Sequence, residues 1–138
     1  MLMIKSFEPV YKELEELFIQ KLPEYIEKIN KEYNDGINLK KFENHNLIEE
    51  CSKLPCFKFS LEESEYTEKD RIIENTVFNM RFEIKITDYQ KDKIIIYWRY
   101  FETIQEMLKD YLYDENSIFL SIKFMHLNTN SIQIKIII

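Results

Sequence analysis

A chain of 138 residues carrying nineteen basic and twenty-five acidic side chains, net −6, has the length of one domain and a charge that repels a bare phosphate backbone. Its single glycine, Gly36, excludes the glycine-rich phosphate cradles and the nucleophile elbow, none of which can be written with one glycine. Two cysteines, Cys51 and Cys56, imply no disulfide framework in a chain long enough to bury a core of its own. Met1-Leu2-Met3-Ile4 is too short for a signal sequence, and no apolar run approaches the ~18 residues of a membrane helix, so the expectation is one cytosolic domain over residues 1–138 with no membrane partner.

The first predicted element is a helix from Ser6, a usable N-cap followed by Pro9. Val10, Leu14, Leu17 and Phe18 recur at three- and four-residue spacing, with Lys12, Glu13, Glu15 and Glu16 on the solvated side. Pro23 lacks an N–H and clashes with the carbonyl four residues back, so it should kink or restart the helix, which Tyr25, Ile26, Ile29 and Tyr33 then continue. Asn34-Asp35-Gly36 should end it, with glycine supplying the left-handed turn. Ile37–Leu54 carries no clear period and reads as a loop, with a short helical turn at Leu47–Cys51.

From Cys56 the period changes to two, with Phe57, Phe59 and Leu61 facing one way and Lys58, Ser60 and Glu62 the other. The cleanest alternation in the chain is Val77–Thr87, where Phe78, Met80, Phe82, Ile84 and Ile86 oppose Asn79, Arg81, Glu83, Lys85 and Thr87. Between these strands Glu62–Glu74 holds six acids and two bases without glycine or proline. It reads as a solvated hairpin loop or an extension of both strands.

A second helix is predicted from about Asp92, with a stripe of Ile94, Trp98, Phe101, Gln105, Leu108 and Leu112 widened by Ile95, Tyr97, Ile104 and Tyr111. Ile118, Leu120, Ile122 and Phe124 predict a third strand ending near Met125. After the turn residues Asn128-Thr129-Asn130-Ser131, Ile132, Ile134, Ile136 and Ile138 predict a fourth. The order αββαββ implies an α+β two-layer sandwich, a mainly antiparallel four-stranded sheet with helices on its apolar face.

Candidate chemistry is sparse. Cys51 and Cys56, spaced C-x4-C, with His45 and distant His126 are the only conceivable soft-metal set. The histidines are solitary where a structural zinc site shows two close pairs, so no metal is assigned and the cysteines read as small apolar fillers. His126 and Ser131 with any acid would make a triad that most sequences could supply, and the Glu15-Glu16, Glu49-Glu50 and Glu62-Glu63 pairs lie on solvated faces. No catalytic residue or cofactor is assigned. Two features favour assembly: an aromatic-rich second helix (Tyr97, Trp98, Tyr100, Phe101, Tyr111, Tyr113), and a last strand ending Ile136-Ile137-Ile138, apolar on both faces and a hazard if it were an exposed edge.

This order of parts resembles the tail-completion, or tail-terminator, proteins of tailed bacteriophages and prophages. The likeness runs from about Phe7 to Ile138: Leu22-Pro23 before Tyr25-Ile26, a loop, a hairpin whose second strand is Arg71–Thr87, Asp88 opening a turn, an aromatic-rich helix and a closing hairpin. The resemblance implies a structural protein without catalytic residues. It would form a homo-oligomeric, usually hexameric, ring at the head-proximal end of the tail, assembled in the host cytoplasm and carried in the virion. Its partners would be other tail and head-connector proteins. The ring contacts implied are Glu65, Asp70 and Arg71 on the acidic connection, Arg81, Glu83 and Lys85 on the outer sheet face, and the closing strand with Ile137. An acidic lumen would let DNA pass without sticking. Two rival readings are a small acidic binding module of the immunity-protein or inhibitor type, and a small-ligand domain or enzyme. The last would need inward-facing polar groups, of which Gln105 is almost the only one.

Overall fold

The computed structural model describes residues 7–42, 44–45, 55–86 and 92–138. The N-terminal helical segment is α1 (Phe7–Glu16), a π-helical turn (Leu17–Lys21) and α2 (Leu22–Tyr33), and it buries Val10, Leu14, Leu17, Phe18, Leu22, Ile26 and Ile29. Pro23 stands in the first turn of α2, where its missing N–H is harmless. The turn before it widens so that the Leu22 N–H bonds the Leu17 carbonyl five residues back. The segment therefore restarts at the proline through a π turn. It ends at Asn34, which itself takes the left-handed conformation (φ 44°) and donates its N–H to the Asn30 carbonyl at 3.1 Å, with Gly36 left-handed two residues on. Asparagine thus supplies the cap assigned to glycine, because its short polar side chain tolerates that conformation.

Among the described residues five strands follow: β1 (Asn44–His45), β2 (Cys56–Lys69), β3 (Ile72–Lys85), β4 (Ser121–Asn128) and β5 (Ser131–Ile137), with α3 (Lys93–Leu112) between β3 and β4. The sheet order is β1-β2-β3-β5-β4. All pairs are antiparallel except the two-residue β1, which lies parallel to the start of β2. The helices pack on the face carrying Phe57, Phe59, Met80, Phe82, Ile84, Ile132, Ile134 and Ile136, so the molecule is the expected α+β arrangement around one contiguous apolar cluster. Phe82 sits at its centre, with the rings of Phe18, Phe59 and Phe57 4.9, 5.2 and 5.5 Å away.

Of the two readings of Glu62–Glu74, the extension of both strands is the one found: β2 and β3 run 14 residues each and turn at Asp70-Arg71. Several other local expectations change. The last strand is no edge, since β5 lies between β3 and β4, so its two apolar faces create no exposed hazard. The third strand starts at Ser121, leaving Ile118 and Leu120 exposed while Phe119 is buried against Tyr111. Within α3 the buried stripe runs through Ile96, Tyr97, Tyr100, Phe101, Ile104, Met107 and Leu108, rotated from the predicted one, so Ile94 and Trp98 stand outside it. Cys56 is fully buried and disulfide-bonded, which replaces its reading as an apolar filler. Cys51, the predicted helical turn at Leu47–Cys51, and Thr87 with Asp88 lie outside the described residues.

Candidate functional site: the hairpin arm and the outer sheet face

The β2–β3 hairpin leaves the body of the sheet. β5 accompanies β3 only to its own last residues, where Thr76 and Ile138 exchange hydrogen bonds of 3.0 and 3.1 Å, and beyond that point the hairpin is two-stranded. Register shifts at Leu61/Glu63 and Thr67/Glu68 mark irregularities along it. Asp70 and Arg71 both have positive φ (53° and 66°), the backbone of a type I′ turn. Among the described residues no helix covers this arm: Tyr66 and Ile72 are each 60% exposed and Glu68 is exposed, as are Glu62, Glu63 and Glu65 at its base. Large apolar groups on a projecting acidic ribbon have no folding role that burial would supply.

The second surface is the sheet face turned away from the helices, fixed by register because directly opposed residues share a face. One row across it is Lys123–Lys135–Asn79–Glu63, the next Met125–Gln133–Arg81–Ser60. Arg81 Nε stands 2.9 Å from Glu83 Oε1, and Glu83 lies opposite Lys58, so these charges are largely neutralised locally. Lys123 and Lys135 oppose each other directly, and neither has an ion-pair partner among the described residues.

The residues singled out from sequence therefore fall into two groups. Asp70 and Arg71 are at the arm tip. Glu65, Arg81, Glu83, Lys85 and Ile137 lie on the outer face, Glu65 opposite Val77 and Val77 opposite Ile137. From Arg71 to Arg81 is ten residues of strand, about 33 Å at the usual rise. Tip and face cannot meet within one chain.

Sequence reading missed a polar seam between α2 and α3. Arg99, buried in the aromatic helix, makes a two-point ion pair with Asp35, donates to the Ile37 carbonyl at 2.9 Å and lies 3.8 Å over the Tyr33 ring. The hydrogen bond from Arg99 holds the Asp35 carboxyl down at about 2. Along the same helix side, Glu102 accepts from the Tyr33 hydroxyl at 3.1 Å, Glu106 pairs with Lys28 at 3.1 Å, and Asp110 accepts from the Tyr25 hydroxyl at 2.7 Å. Burial, with Asp110 adding to it, pushes the Tyr25 hydroxyl up to about 12, so it stays a donor. The signal was present: Arg99, Glu102, Glu106 and Asp110 recur at three- and four-residue spacing. The loop after α2 is also anchored. Asn30 exchanges bonds of 2.8 and 2.9 Å with the Leu39 backbone. The buried Tyr100 hydroxyl accepts from the Lys40 N–H at 3.0 Å and donates to its carbonyl at 2.6 Å. Burial raises the Tyr100 pKa.

The other candidates separate. His45 in β1 and His126 in β4 are on opposite edges of the sheet, roughly 19 Å apart by strand spacing. His126 stacks on Trp98, ring centroids 4.7 Å apart. Among the described residues no group of three or more His, Cys, Asp or Glu is placed to hold a metal, and no helix is long and apolar enough to cross a membrane. Of the aromatic helix residues, Tyr97, Tyr100 and Phe101 are core, Tyr111 packs against it, and Trp98 and Tyr113 are exposed. A cleft of about 230 Å³ between the π turn and α3, lined by Lys21, Glu24, Tyr25, Asp110 and Asp114 among others, is smaller than the usual small-molecule site. No family model, curated protein or solved structure matches the chain.

Proposed function

We propose that this chain is a non-catalytic assembly subunit, a ring-forming tail-completion protein of the phage or prophage type to which its order of elements is similar. The observation that carries the reading is the arm: a two-stranded ribbon with exposed Tyr66 and Ile72 at the far end of the molecule from the helices' apolar packing. Isolated two-stranded hairpins are marginal in water, and an arm of this kind gains most from a second molecule. The separation of tip and outer face supports the same reading, because residues at both places serve one contact only if different copies supply them. In the ring, each subunit reaches its neighbour with the arm while the outer face and sheet edge receive another.

Absolute mass by light scattering during gel filtration, over a range of concentration and salt, tests this. A species near six times 17.0 kDa, with ring-shaped particles by electron microscopy, is the expected result. A mass of one chain at every concentration would sink the ring and favour the acidic binding module, whose arm would cover a basic protein instead.

A further inference from the structure

The sheet ends in two free edges of opposite charge character. At one end β4, Ser121–Asn128, has a strand neighbour on one side only among the described residues, and its single formal charge is Lys123. At the other end β1 covers only Cys56 and Phe57 of β2. Among the described residues the remaining β2 edge, with Glu62, Glu63, Glu65 and Glu68, has no strand beside it. Exposed edges present unpaired N–H and C=O groups and template the addition of another strand. A lysine on an edge strand is an ordinary guard against such pairing. A second lysine directly opposite it is not explained by guarding, since like charges facing each other across strands are destabilising. That repulsion is relieved by an acidic strand arriving at the edge.

We propose that a second copy of this chain continues the sheet, laying the acidic β2 edge at the base of its arm along β4 so that Glu63 and Glu65 stand next to Lys123, with Lys135 behind. The proposal rests on the assembly reading above and identifies β4 as the edge that receives the β2 edge at the base of the arm. Glu63 and Glu65 lie on the same sheet face as Asn79 and Val77, and Lys123 and Lys135 lie on that face too, so a sheet continued without inversion brings the charges together. Because the two edges are different, the contact is head-to-tail. Repeated with a rotation that closes, such a contact makes the ring of the assembly reading.

Two charge-reversed proteins test it: an arm variant, Glu63→Lys with Glu65→Lys, and an edge variant, Lys123→Glu with Lys135→Glu. All but Lys135 are solvent-exposed, and circular dichroism with thermal melts verifies that both variants fold. Alone, each variant carries like charges on both edges. The concentration for half-assembly should rise about tenfold or more, the size expected when exposed pairs become repulsions. An equimolar mixture should recover the wild-type mass, because each arm then meets an edge of opposite sign, and it should lose mass again as salt is raised. If the edge variant assembles like wild type while the arm variant does not, the receiving edge is wrong and the assembly reading stands. If both variants fail and the mixture stays dissociated, the pairing of these edges is overturned. If wild type itself is a single chain throughout, both readings fall together.

Discussion

The tip of the arm gives a sharp test of its conformation. Arg71 holds φ at 66° and Asp70 at 53°. For an L-residue the left-handed region costs roughly 1–2 kcal/mol, less for aspartate, whose short side chain bonds locally. Arg71→Gly removes that cost, while the extra freedom of glycine in the unfolded arm takes back about 0.5–1 kcal/mol. The net stabilisation is about 0.5–1 kcal/mol, confined to the arm because its two strands open without the core. Amide hydrogen exchange reads it directly: the arm amides of Tyr66, Thr67 and Asn75 should exchange about two- to fivefold more slowly, with the core amides of Phe82 and Ile134 unchanged. Arg71→Ala is the control, since it removes the guanidinium and keeps the strained backbone, and it should leave arm exchange as it was. Equal slowing by alanine and glycine would mean the charge, not the backbone, sets arm stability. No slowing by glycine would refute the turn geometry.

Two further outcomes concern the body of the molecule. Tyr100→Phe leaves the ring packed beside Phe42, 5.0 Å away, but removes the hydroxyl that both accepts from and donates to the Lys40 backbone. Because Lys40 itself is exposed and its backbone regains water, the cost should be about 1–2 kcal/mol in urea denaturation with an unchanged m-value; a loss under about 0.3 kcal/mol would contradict the clamp. The Asp35 carboxyl is held at about 2, below its ordinary 3.8, by the Arg99 hydrogen bond. A depressed carboxyl stabilises above its unfolded pKa and loses that contribution as pH falls through its folded value. The stability difference between wild type and Asp35→Asn should therefore be constant near neutrality and shrink between about pH 4 and pH 2. A difference that does not change over that window would show that the ion pair does not anchor the α2 end.

Local repetition was legible in the residues. The alternation of Phe78, Met80, Phe82 and Ile84, the Val10-Leu14-Leu17-Phe18 stripe, the restart at Pro23 and the Asn128–Ser131 turn all express steric and hydrophobic rules acting within a few residues, and each is found in the fold. The acidic Glu62–Glu74 stretch was legible as solvated and as either a loop or an extension of both strands; the residues alone did not choose between the two, because the pairing partner lies across the hairpin and the alternation is broken by two register shifts.

What only tertiary structure decided is which surfaces meet. Nothing local places β5 between β3 and β4. That order follows from Val77–Glu83 taking Ser131–Ile137 as partners, and it puts a strand that would be a hazard as an exposed edge into the interior of the sheet. In the same way α3 is apolar around most of its girth, so its sequence leaves the buried side open. Packing against α2 and the sheet selects Tyr100, Phe101 and Ile104, draws Arg99 inward to Asp35, and leaves Trp98 outside on His126. The two free edges and the Lys123–Lys135 pair arise from register between strands distant in the chain. Periodicity assigns each residue a face within its own element, whereas the neighbour of that face is chosen by contacts across the whole chain.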